Sequence, residues 1–148
     1  KGLGLLHGET ILEKEKKTYQ VAAIIQAADN RQHTTVKGYE IHMGETAGRE
    51  QPFSIITKRN NTAVKREDGA VSDNGRIWGT YIHGIFDNDE FRTGFLNEIR
   101  TDRGLPERGV SAFAEKKDKQ INILAKTINE SISIQRLYEI MGLKGLDN

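Results

Sequence analysis

The sequence predicts an α/β fold that is strand-rich over its first two thirds and helical over its C-terminal third. Three observations carry this. Before His83 the apolar residues fall in short runs of β-branched and aromatic side chains bounded by turn formers, as in Tyr19–Ala27, Val36–Met43 and Phe53–Thr57. After it they recur at helical spacing, first as Phe91, Phe95, Leu96 and Ile99, then as Ile121, Leu124 and Ile128. The change falls inside one stretch, Trp78–Asp87, where an extended apolar run meets Gly84 and a helix start.

Taken in order, Glu9–Leu12 and Tyr19–Ala27 read as a hairpin-like pair joined by the charged turn Lys14-Glu15-Lys16-Lys17. A polar loop, Asp29–His33, leads to the strand Val36–Met43, which ends at Gly44. Gly48–Pro52 is loop, Phe53–Thr57 a short strand, and Lys58–Thr62 a polar, mobile connection. After the charged segment Lys65–Asp68, Asp68-Gly69 and Asn74-Gly75 read as turns, the second leading into a strand over Arg76–Ile82. Asp87, three residues before Glu90, is placed to cap the first helix, which stops near Gly104 with Pro106 beyond it. Ser131 or Ser133 caps a short last helix marked by Ile134, Leu137 and Met141.

With 148 residues and 36% apolar content the chain can bury one sizeable core, so residues 1–148 are expected to form a single domain. The only weak boundary is Gly104–Gly109. The 22 basic and 21 acidic side chains are interspersed, so neither a nucleic acid nor a membrane surface is expected as a partner. No apolar run approaches the ~20 residues of a membrane span and no signal-peptide pattern opens the chain, which makes the cytoplasm the expected location. The chain contains no cysteine, hence no disulfide, thiolate metal site or cysteine nucleophile of its own. It opens at Lys1 without a methionine and runs at once into Leu3-Gly4-Leu5-Leu6, as expected of a portion of something longer.

Four histidines are available for chemistry. His7 and His33 sit in polar surroundings and read as surface residues. His42 and His83 each end a strand beside a glycine turn, where a rigid sheet can fix a side chain and a turn can expose it to substrate. On pattern alone His83 reads first as a partly buried histidine satisfied by a backbone carbonyl. A metal set of His42, His83 and Asp87 lacks any recurring ligand spacing, so no metal is expected. Neither a phosphate-binding glycine loop nor a Gly-x-Ser-x-Gly elbow occurs. A histidine base without a nucleophile is half of an acyl-transfer site.

Several segments carry a family resemblance. Gly2-Leu3-Gly4-Leu5-Leu6 with Glu9-Thr10, Gly38–Thr46, Asp68-Gly69-Ala70 and Gly79–Asn88 resemble, in order and spacing, the closing part of the cobyric acid synthase family. The resemblance covers about Gly2 to Met141. In that family the C-terminal half is a class I glutamine amidotransferase domain with a flavodoxin-like fold, joined to an N-terminal ATP-binding synthetase domain. The resemblance implies that His83 is the catalytic histidine, taking the proton of a cysteine nucleophile and returning it to leaving ammonia. That cysteine would lie on an elbow preceding Lys1. Many class I enzymes orient the histidine with a glutamate two residues on; here that position is Ile85, so a dyad is implied. Tyr39, Glu40 and His42 belong to a motif implied to wall the same cleft, either contacting substrate or supporting the sheet. Glutamine is the implied substrate. The corrinoid acceptor, ATP and Mg would be bound mainly by the N-terminal half, with no cofactor held in this chain. Alternatives are a related glutaminase subunit serving cobyrinic acid diamide synthesis or cell-wall precursor amidation, and a non-catalytic interaction module.

Overall fold

A computed structural model describes residues 2–26, 33–48 and 50–143. Ala27, and the Asp29–Gln32 part of the expected polar loop, lie outside the described residues. By its internal contacts the chain divides into two compact units, Lys1–Ser111 and Ala112–Asn148. Strands do come first and helices last. Every pairing between the described strands is antiparallel.

The first unit opens with β1 (Gly8–Ile25) and β2 (Thr35–Gly48), which pair along nearly their whole length. The turn expected at Lys14–Lys17 is not there; one long strand runs through it. That segment has no glycine, proline, asparagine or aspartate to reverse the chain. Instead, β2 pairs Gly44–Gly48 with Gly8–Leu12 and Thr35–His42 with Lys17–Ile24, and the register slips between Leu12 and Lys17. Lys17 Nζ is 2.7 Å from a Glu13 carboxylate oxygen and 3.0 Å from one of Glu45, which holds the irregular segment against β2.

β3 (Ser54–Arg59) pairs with β1, and β4 (Thr62–Asp68) closes a hairpin on β3. Lys58–Thr62 is therefore largely strand, with Asn60 and Asn61 as a two-residue turn at φ 44° and 67°. Lys65–Asp68 is strand as well. β4 is an edge strand with mostly exposed, charged positions, so it has no apolar alternation to announce it.

The single strand expected over Arg76–Ile82 is broken. β5 (Ala70–Val71) and β6 (Trp78–Gly79) form a small separate ladder around the Asn74-Gly75 turn, and β7 (Ile82–His83) joins the main sheet beside β2. The order in the main sheet is β4-β3-β1-β2-β7. A 3₁₀ turn, Ile85–Asp87, then leads into α1 (Asp89–Asp102). The residue at the helix start is Asn88, not Asp87, and its side chain reaches across to β2: Lys37 N–H donates to Asn88 Oδ1 at 2.8 Å, and Asn88 Nδ2 donates to Lys37 O at 2.9 Å. α1 ends just before Gly104, whose φ is +65°.

One sheet face is buried. Val21, Ala23, Ile25, Val36, Ile56 and Ile82 meet Phe53, Ile85 and Phe91, the last from α1. Phe53 stacks on Trp78 at 4.5 Å, and Phe91 and Phe95 meet Trp78 edge-on. Leu96 and Ile99, expected on this face, are exposed. The second unit holds α2 (Phe113–Ser131) and α3 (Ile134–Ile140); Ser133 caps α3, accepting from Arg136 N at 3.2 Å.

Candidate active site

The two histidine motifs meet in the β2–β7 ladder. Tyr39 pairs with His83 and Glu40 with Ile82. Directly paired residues share a sheet face and successive residues alternate, so Tyr39 and His83 stand together on one face while Glu40 and His42 stand on the other. Gly38 makes the pairing possible: a Cβ there would lie 2.3 Å from the His83 carbonyl oxygen and 2.7 Å from Ile82 Cγ2. His83 is exposed, as is Tyr39 at 51%. Gly84 follows at φ +76° and turns the chain away from the imidazole.

The Glu40 face is buried and polar. Glu40 is 3% exposed, and Arg59 grips its carboxylate with two bonds, Nε to Oε2 at 2.7 Å and Nη2 to Oε1 at 2.5 Å. His42 Nε2 lies 3.0 Å from the same Oε1, its Nδ1 meets the Gly44 carbonyl, and its ring stacks on Tyr81 at 4.6 Å. The guanidinium of Arg59 lies 4.6 Å over the Tyr19 ring.

Glu40, His42, Arg59 and Tyr81 line a cleft of about 670 Å³ that also takes in Glu45, Glu50, Arg66, Asp68 and Thr80, but neither Tyr39 nor His83. Lys17, then Arg66, holds the Glu45 carboxyl below the usual carboxylate range, and the His7 backbone N–H does the same for Glu50. Burial pushes the Asp68 carboxyl above its ordinary range, against hydrogen bonds from Thr80, the Tyr81 N–H and Ser54 that pull it down. Among the described residues no group of three His, Cys, Asp or Glu side chains could hold a metal ion. His42 and His83, imagined as ligands of one metal, lie on opposite faces.

Of the residues singled out in the sequence, the structure brings His83 and Tyr39 together and places Glu40 and His42 behind them. Arg59, Thr80 and Tyr81 went unremarked as site residues. Thr80 and Tyr81 lie inside the Gly79–Asn88 motif and Asp68 opens the Asp-Gly-Ala one, whereas Arg59 sits in a plain polar run with no local signal.

The profile of the CobB/CobQ-like glutamine amidotransferase domain matches residues 1–91, a span that holds both histidine motifs and the whole cleft. The chain belongs to this amidotransferase family. It is 43% identical to a cobyric acid synthase of Thermoanaerobacter sp. (strain X514) across 95% of its own length. Cobyric acid synthases of Streptococcus sanguinis (strain SK36) and Dehalococcoides mccartyi (strain ATCC BAA-2266 / KCTC 15142 / 195) are 41% and 43% identical across 95%. The chain spans 28–29% of the length of these relatives. In this family member the position two residues after His83 is Ile85, 5% exposed and packed in the core, so it offers the imidazole no hydrogen bond. Among the described residues no helix is long and apolar enough to cross a membrane.

Proposed function

We propose that this chain is the C-terminal part of the glutaminase domain of a cobyric acid synthase, with both compact units belonging to that one domain and His83 as its general base. The observation that carries this reading is the placement of His83, exposed at the end of β7 and paired with Tyr39 on the open face of the sheet. There an imidazole can meet a thiol brought by another segment. It takes the thiol proton, the thiolate attacks the side-chain amide carbon of glutamine, and the imidazolium returns the proton to the departing nitrogen. Ammonia leaves, and water then releases glutamate from the thioester. Tyr39 flanks the bound substrate. Glu40 and His42 contact a ligand only by way of the cleft behind the ladder.

On this reading the ammonia serves ATP-dependent amidation of peripheral carboxylates on a corrinoid, and the sites for the corrinoid, ATP and Mg lie in the N-terminal domain. The chain contains no thiol, so these 148 residues alone are inactive. Glutamine hydrolysis is assayed with the purified chain and with the polypeptide that carries the nucleophile segment. Turnover only in the second is expected; turnover by the chain alone, lost in His83→Ala, would overturn the mechanism. Corrinoid binding by the longer protein separates this reading from a glutaminase of cell-wall precursor amidation. Separating it from cobyrinic acid diamide synthesis requires identifying which corrinoid product is formed.

A further inference from the structure

β7 contains two residues, and only two register pairs tie it to β2. Such a short strand is weakly specified by its ladder alone, yet it carries His83. What precedes it has one further bond to β2, Ile41 N–H to Tyr81 O at 3.3 Å, and is otherwise held from a different direction. Thr80 Oγ1 donates to Asp68 Oδ2 and accepts from Ile82 N–H at 3.0 Å, while Tyr81 N–H donates to Asp68 Oδ1 at 3.0 Å. Ser54 Oγ, on the neighbouring strand, donates to the same Asp68 Oδ2 at 3.1 Å. Asp68 thus fixes the two residues between β6 and β7, and through the Thr80 hydroxyl the backbone of the residue before His83.

The approach is close by construction. Gly69 has φ +68°, and a Cβ on it would sit 2.0 Å from the Gly79 carbonyl oxygen, so only glycine lets the end of β4 lie against the start of the break. Asp68 is 4% exposed, and the three groups that donate to it are neutral. Burying a carboxylate without a cation is costly, and an apolar side chain of similar size would hold a core more cheaply. What the carboxylate supplies that an apolar residue could not is a direction for the Tyr81 N–H and for the Thr80 hydroxyl, whose oxygen in turn receives the Ile82 N–H.

We infer that Asp68 and Thr80 are positioning residues for His83, a latch that sets where β7 leaves β6 and so where the imidazole stands on the open face. The inference rests on His83 being the base. Its test uses Thr80→Val, which keeps the shape and removes the hydroxyl, and Thr80→Ser, which restores the hydroxyl. Both are made in the polypeptide that carries the nucleophile segment. Glutamine hydrolysis is measured at a temperature where circular dichroism shows each variant fully folded, so that lost stability alone leaves kcat unchanged. Thr80→Val is expected to lower kcat about tenfold or more, as small displacements of a reacting group do. KM should stay within about twofold, since glutamine binding is not the step disturbed. Thr80→Ser should recover most of the loss. Wild-type kcat in Thr80→Val, or equal impairment of the two variants, would overturn the latch. Should Thr80→Val not fold, Asp68→Asn is read in the same assay with the same criteria. His83→Ala is the control that separates the two ideas: if it retains activity the base assignment fails, and if it is inactive while the latch variants are normal only the latch fails.

Discussion

On one face of the β2–β7 ladder Glu40 is buried beneath Arg59 and beside His42; on the other, one residue away, Tyr39 and His83 stand side by side in the open. Both faces come from the same two motifs. Strand alternation sends neighbouring residues of one motif into opposite environments, so they answer to different physical demands. The inner face must pair the polar groups it buries, and there the Glu40 carboxylate meets Arg59 and His42. The outer face is left open, with Tyr39 and His83 exposed. Substitutions on the inner face should therefore cost folding stability, and substitutions on the outer face should cost activity.

The largest stability effect is expected for Arg59→Ala, which strands the Glu40 carboxylate in a buried site and should cost about 3–5 kcal/mol by urea denaturation. Arg59→Met combined with Glu40→Gln should lose clearly less than the two single variants added together, because the pair acts as a unit. An additive double variant would mean that the two faces are not as different as the geometry implies. Gly38→Ala comes next. Its Cβ would press on the His83 carbonyl oxygen at 2.3 Å, and moving β7 away should cost about 1–3 kcal/mol and lower activity as well. Among substitutions within the β2–β7 ladder it is the one expected to cost both stability and activity.

A pH effect follows from Asp68. Burial raises its carboxyl in the folded chain, so the folded state holds that proton more tightly than the unfolded state does. Its stabilising contribution is full below the ordinary Asp pKa and is lost as the pH rises through the raised value. Asp68→Asn should remove that decline from the stability–pH curve. An unchanged curve would assign the decline to another group. The smallest stability effect is expected for His83→Ala, within about 0.5 kcal/mol, since its exposed ring is packed against little.

Much of the architecture was legible in the sequence because it is locally encoded. Val36–Met43 is a run of extended-structure formers closed by Gly44, Phe91 and Phe95 share a helical face, and Gly104 and Ser133 mark helix ends through their own backbone and side-chain chemistry. The unbroken β1 was not legible. Gly8–Lys16 is exposed along its length and owes its strand conformation to β2, a partner distant in sequence. β4 was hidden for a related reason, its charges suiting an edge and a loop equally. At the site, the residues of both motifs could be singled out but not sorted between faces. Sorting them needs the register of Tyr39 on His83, a pairing across 44 residues that no local pattern specifies. Arg59 was invisible because its partner Glu40 lies 19 residues away in another polar context.

The central claim is that the outer face performs chemistry and the inner face does not. It is tested most directly by making His83→Ala in the polypeptide that carries the nucleophile segment and measuring glutamine hydrolysis and thermal unfolding on the same preparation. The account predicts a fall in kcat of at least about a hundredfold with the unfolding transition unmoved. Full glutaminase activity in that folded variant would contradict it.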